Sequence, residues 1–175
     1  MYYLGIDIAK YNHVASLIDG EGKVVIKTIK FTKDNEGYQK LISQVFSVIG
    51  DGDGGRDKDS VAVGMEATGH YWLSLFSALV DDGFSVSVYN PFQIKSFTGA
   101  YHNRKLKTDA IDAVIIANYI RTFGVEATVL PNDALLSLKQ LTRYRSDLIH
   151  SISTAKNQVI SILDKIFPEF SSLSV

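Results

Sequence analysis

The sequence predicts a mixed α/β domain, a five-stranded sheet flanked by helices, followed by one long helix. Five short apolar runs, at residues 2–9, 13–19, 23–32, 60–66 and 84–89, have the length and patterning of strands. Segments between and after them repeat apolar residues every three or four positions, the helical period. The last quarter keeps a 3,4 spacing from Leu138 to Ile166 across four heptads, which is the pattern of a helix that pairs with another helix.

The elements follow in order. The first three runs are sequential strands, and Asp19-Gly20-Glu21-Gly22 between the second and third is a hairpin turn signal, so the domain opens with antiparallel strands. Tyr38, Leu41, Ile42, Val45, Phe46 and Ile49 predict a helix over 35–49. A strand at 60–66, a helix at about 70–82 carrying Tyr71, Trp72, Leu75, Phe76 and Leu79, and a strand at 84–89 give the order βββαβαβ with further helices. Thr108 opens one of those helices as its cap.

Residues 50–59, GDGDGGRDKD, are polar and Gly-rich and read as a surface loop. Gly50, Gly52 and Gly55 imitate a dinucleotide fingerprint, but they follow a helix and precede a strand, and the neighbouring acids would repel a pyrophosphate. Asp51 and Asp53 open like a calcium loop, yet Arg56 stands where Gly is required and Ala62 where the bidentate Glu belongs.

The long helix runs from Pro131-Asn132-Asp133 to about Phe167-Pro168, with only Arg145 interrupting a seam of Leu138, Leu141, Leu148, Ile152, Ala155, Val159, Ile162 and Ile166. A narrow seam of that length needs a partner helix, from a second copy or from elsewhere in the protein; the plainer alternative is that it folds back on the sheet. The expected division is a domain at 1–128 and a coiled-coil segment at 129–175. The ending FSSLSV has no compact closing element and reads as that of a fragment.

With 175 residues, 46% of them hydrophobic, the chain can build one core. It has no Cys, which excludes disulfides and thiolate metal sites. No basic leader precedes the first strand and no apolar run approaches the ~20 residues that span a bilayer, so a soluble, cytoplasmic protein with no membrane partner is expected. The net charge of −1 hides a local excess. From Lys95 to Lys107 the chain carries Lys95, His102, Arg104, Lys105 and Lys107 without an acid, either a solvated loop or a contact for a phosphate backbone.

Four acids carry the chemistry. Asp7 and Glu66 end apolar strands, where a carboxylate is costly unless a cation or donor compensates it. Asp109 and Asp112, spaced i, i+3 on a helix, project from one face. Such an all-oxygen set suits a hard cation, Mg2+ or Mn2+. Two cations so held would neutralise the charge that develops on a scissile phosphodiester. Tyr71 and Trp72, after Glu66, read as core residues of a helix start, and His70 as its cap.

GIDIAK near the start, GMEATGHYW, YNPFQIKSF and KTDAIDA together resemble the amino-terminal domain of the IS110-family transposases, DEDD recombinases with a RuvC-like, RNase H-type fold. The resemblance covers about 1–122 and continues into the long helix, which is similar to the family's coiled-coil segment. It implies that Asp7, Glu66, Asp109 and Asp112 are the divalent-metal ligands of a DNA-cleaving and strand-exchanging site. It also implies that DNA, a structured guide RNA and a homo-oligomer through the 133–167 helix are the partners, in a prokaryotic cytoplasm. Family members carry a carboxy-terminal domain with a serine nucleophile; Ser171, Ser172 and Ser174 lie outside any matching motif, so the nucleophile is expected outside this chain. Two other readings stay open: a non-catalytic module that binds nucleic acid and dimerises, and a fragment of an actin-like sugar kinase, whose opening GIDIAK also resembles.

Overall fold

The computed structural model describes residues 1–50, 57–101, 108–126, 128 and 133–170. They divide into two compact units, Met1–Thr128 and Val129–Val175. In the first, β1 (Tyr2–Asp7), β2 (Asn12–Ile18), β3 (Val24–Thr32), β4 (Val61–Glu66) and β5 (Ser85–Tyr89) form one sheet in the order β3-β2-β1-β4-β5. β2 runs antiparallel to both its neighbours, while β4 is parallel to β1 and β5 to β4. This is the mixed five-stranded arrangement the sequence predicts. The hairpin between β2 and β3 closes as its residues require: the Asp19 carboxylate accepts from the backbone N–H groups of Glu21 and Lys23, and Gly22 takes φ +87°.

Side chains alternate across each strand, so the sheet has two differently built faces. Leu4, Ile6, Leu17, Ile29, Val63 and Met65 fill one of them with bulk. There α1 (Asn35–Ile49) and α2 (Leu73–Asp81) bury Leu41, Ile42, Val45, Phe46, Leu75, Phe76 and Leu79. α1 starts where Asp34 supplies its cap, the carboxylate accepting from Gly37 N–H at 2.8 Å and from the Thr32 hydroxyl at 2.7 Å. Those two bonds, the backbone one first, hold the Asp34 carboxyl below its ordinary pKa.

The other face is made of small residues. Ser16, Gly5, Gly64 and Ser87 are register partners across β2, β1, β4 and β5. Over that row lies α4 (Asp109–Phe123), with Ala113, Ile115, Ile116, Ala117 and Ile120 buried. A Cβ on Gly5 would overlap the main chain of Ala113 and Ala117, and one on Gly64 the Ile120 side chain. The Ser16 hydroxyl, which donates to Lys27 O, lies 3.4 Å from Ala110 O. Read along the helix, Ala110, Ala113 with Ala117, and Ile120 sit over β2, β1 and β4 in turn, so α4 runs across the strands. Interior glycines that cost a strand stability here admit a helix backbone instead.

Two helices depart from the sequence reading. α2 begins at Leu73 rather than at about 70, because Gly69 takes φ +58° and residues 67–72 turn. His70 does not cap it: the side chain stacks on Tyr71, and no side chain caps α2. Trp72 packs edge-on against Phe76 at the start of that helix, half-buried. The second departure is α3 (Pro91–Tyr101), which takes in the first part of the basic run. It has its own start signal: Asn90 Oδ1 accepts from Phe92 N–H, Gln93 Oε1 accepts from Asn90 N–H, and Pro91 occupies the first helical position. Phe97 anchors it on α4 through Tyr119 and Phe123.

The second unit holds α5 (Asp133–Ile166), a helix of 34 residues. Leu138, Leu141, Leu148, Ile152, Val159, Ile162 and Ile166 are all exposed, from 46% to 77%.

Candidate active site

Asp7 is the last residue of β1 and Glu66 the last of β4. Ile6 pairs with Met65 in the parallel register, so Asp7 and Glu66 come next to one another at the same level. Both have the parity of Gly5 and Gly64, and therefore stand on the face that α4 covers. Each is half-buried. The Thr68 hydroxyl reaches Glu66 Oε1 at 3.4 Å, and Thr68 N–H donates to Glu66 O at 2.9 Å, which turns the chain away after the strand. Beyond Asp7, Ala9 N–H donates to Nδ1 of His13, so a buried imidazole ties down the turn that follows the acid.

Asp109 and Asp112 come from the first turn of α4. Thr108 caps that turn, its hydroxyl accepting from Ile111 N–H at 3.4 Å. Two carboxylates at a helix amino terminus meet the positive end of the helix dipole, which offsets part of their mutual repulsion. Asp109 precedes Ala113 by one turn and is exposed; it borders an open cleft of about 850 Å3 with Asn12, Val14, Lys30, Thr32 and Lys40. Val14 is the antiparallel partner of Asp7, so this cleft opens one strand away from Asp7. Asp112 is half-buried in the turn leading to the Ala113 contact with Gly5.

The strand register thus sets Asp7 and Glu66 side by side, and α4 brings Asp109 to a cleft that also holds Val14, the partner of Asp7. Their side chains are not gathered further: among the described residues no three His, Cys, Asp or Glu groups are placed to hold one metal ion. By donor chemistry the four oxygen ligands fit a hard divalent cation. Of the predicted basic contacts, Lys95 is exposed on α3, and Arg104, Lys105 and Lys107 lie outside the described residues. Lys30 and Lys40 did not emerge from the sequence reading, since the register and the helix that bring them to the cleft are tertiary. A sign of the α4 seat was present: glycine inside the apolar strands Leu4-Gly5-Ile6 and Val63-Gly64-Met65 marks a close approach of backbone.

Among the described residues no helix is long and apolar enough to cross a membrane. The chain resembles the "Insertion element IS116 uncharacterized 44.8 kDa protein" of Streptomyces clavuligerus, with 30% identity over 168 residues, 95% of this chain and 39% of that protein. It resembles a "Pilin gene-inverting protein" of Moraxella bovis at 28% identity over 117 residues, 67% of this chain and 33% of the other. The chain spans between 38% and 45% of the length of three curated relatives matched over 95% of its own. Among solved structures, Thermus thermophilus RuvC aligns over 73% of this chain and 100% of that one, at 18% identity and a TM-score of 0.46. The model of a transposase family, the DEDD transposases of IS110 type, matches residues 4–168, a span that includes all four acids and the whole of α5. The chain belongs to that family.

Proposed function

We propose that this chain carries the metal-dependent DNA-cleaving centre of an insertion-sequence transposase, with Asp7, Glu66, Asp109 and Asp112 as ligands of Mg2+ or Mn2+. The observation that carries the reading is the placement of Asp7 and Glu66 side by side at the ends of parallel strands, on the face where the first turn of α4 presents the other two acids. A bound divalent cation would supply neutralisation of the charge developing on a scissile phosphodiester. The chain's own groups have the remaining tasks. The strand ends fix two carboxylates rigidly, the α4 dipole eases the crowding of two more, and Lys95 with Arg104, Lys105 and Lys107 would hold flanking phosphates.

In this reading residues 1–128 are the catalytic domain and residues 129–175 a coiled-coil segment through which two copies associate. The substrate is DNA, the protein works in a prokaryotic cytoplasm, and a structured guide RNA selects the target. The serine nucleophile comes from outside the chain, so the 175 residues alone bind metal and nucleic acid without completing strand exchange. A non-catalytic nucleic-acid-binding module is the second reading, favoured by the absence of a gathered three-ligand group among the described residues.

Thermal unfolding with and without Mn2+ separates the two. Wild type should gain stability as the cation binds, by RT ln(1 + [L]/Kd), about 2.7 kcal/mol at a hundredfold excess over Kd. Glu66→Gln and Asp109→Asn should lose most of that gain while remaining folded. Equal gains in wild type and both variants would remove the acids from the site.

A further inference from the structure

The cleft beside the acids has a basic wall that the four-acid site does not account for. Lys30 on β3 pairs with Val14 on β2, and Val14 with Asp7 on β1, so Lys30, Val14, Asp7 and Glu66 form one row across four strands. From the parity of that row, Lys30 stands on the same face as Asp7. A second cation is brought to it: Lys40, on α1, donates its ammonium group to the backbone carbonyl of Lys30 at 2.8 Å. Both lysines line the cleft that Asp109 borders.

Lysines that line one cleft ordinarily attract a carboxylate. Glu36 lies four residues before Lys40, the spacing of an intrahelical ion pair, and lines the same cleft. Yet among the described residues the ion pair found is Lys58 with Asp82, elsewhere on the unit. Of the other two acids at the cleft, Asp34 is committed to the α1 cap and Asp109 belongs to the four-acid set. Lysines on an edge strand commonly serve to block edge-to-edge pairing, and β3 is an edge. That role would account for Lys27. It does not account for Lys40, which comes from a helix and places its charge on the carbonyl of Lys30.

We infer that Lys30 and Lys40 form a phosphate-binding subsite for the DNA strand that enters the acid site, flanking the scissile phosphate. The inference rests on the DNA-cleavage reading above. Lys30 and Asp7 are two strand spacings apart, about 10 Å at 4.8 Å each. That is about three nucleotide rises of 3.4 Å, so the lysines meet a phosphate further along the strand and leave the reacting one to the acids. As point charges on flexible stems, they would position the backbone without reading sequence.

The test uses the 175-residue chain and a fluorescent 30-base-pair DNA duplex in two unrelated sequences, titrated over a salt series. Lys30→Gln and Lys40→Gln should each reduce the slope of log Kobs against log[salt] by about 0.9, a loss of about eightfold in affinity at 0.1 M salt, equally on both sequences. Lys23→Gln, the same charge change at the hairpin tip, should bind as wild type. Both cleft variants should keep the whole Mn2+-dependent gain in melting temperature, which Glu66→Gln loses. Wild-type slope and affinity in both cleft variants would overturn the subsite and leave the acid site standing. Equal weakening by Lys23→Gln would overturn it as well, reducing the effect to net charge. A wild-type chain that shows no salt-dependent DNA binding would overturn the subsite and the DNA reading together.

Discussion

Replacing Gly5 with Ala tests the seat of α4, and with it the placement of two of the four acids. The added methyl group would meet the carbonyl oxygen of Ala113 and the amide nitrogen of Ala117, both main-chain atoms that no rotamer change can move. The helix must therefore lift from the sheet, loosening a contact in which Ala113, Ile116, Ala117 and Ile120 are buried. Overpacking of this kind costs about 1–3 kcal/mol, and backbone obstruction puts it at the upper end. Loss of the glycine's freedom in the unfolded chain returns roughly 0.5–1 kcal/mol, leaving a net cost of about 2 kcal/mol. For the unit Met1–Thr128, an unfolding entropy of about 2.1 cal/mol/K per residue makes that a fall in Tm of roughly 7–8 °C. The assay is thermal unfolding by circular dichroism, with and without Mn2+. The stabilisation by Mn2+ should also shrink, although no carboxylate has changed. A variant that melted within about 2 °C of wild type and kept the full metal increment would refute the argument that α4 rests on Gly5 and positions the acids from there.

Two further outcomes follow from the packing. His13 is 1% exposed, its Nδ1 accepts from Ala9 N–H, and its Nε2 has no partner among the described residues; burial, and then the charge of Lys33, lower its pKa below 6.5. The neutral ring is thus the folded form, so its contribution is complete above about pH 6.5 and is lost as pH falls through the lower folded value. Urea unfolding between pH 7.5 and 5 should show a steeper loss in wild type than in His13→Phe, and parallel curves would count against the assignment. On α5, Ile152 is 54% exposed within the heptad seam. Light scattering should find the wild-type chain self-associated and Ile152→Asp dissociated; a wild-type monomer would sink the coiled-coil reading.

The fold was legible where the period of apolar residues decides the structure. The strands β1 to β5 and helix α1 fall within two residues of the runs that predict them, because one face of each must be buried. The start of α2 was not legible, since Tyr71 and Trp72 match helical spacing while Gly69 turns the backbone before them. α3 was hidden under the charge of the basic run, although Asn90-Pro91-Phe92-Gln93 holds a complete start signal. For the candidate site, the sequence singles out the four acids one by one, and the register sets Asp7 beside Glu66. Which lysines stand beside them could not be picked out, because Lys30 reaches the cleft through a cross-strand register and Lys40 through a helix packed on the edge strand.

The row of small residues gives the acid site a dependence that its own residues do not reveal. Two carboxylates come from strand ends, which a five-stranded sheet holds rigidly. The other two come from the end of a helix that crosses those strands, so their positions are set by how far α4 stands off the sheet. With Gly5 and Gly64 at the crossing, the helix backbone comes down against the strands, and the turn carrying Asp109 and Asp112 comes down with it. Larger residues there would give a thicker and equally hydrophobic layer, a packing compatible with the same sheet, but with α4 farther out. A fold that needed only a core could use them. The glycines and Ser16 therefore set how closely α4, and the turn that carries Asp109 and Asp112, lies on the sheet, at the cost in strand stability that interior glycine carries.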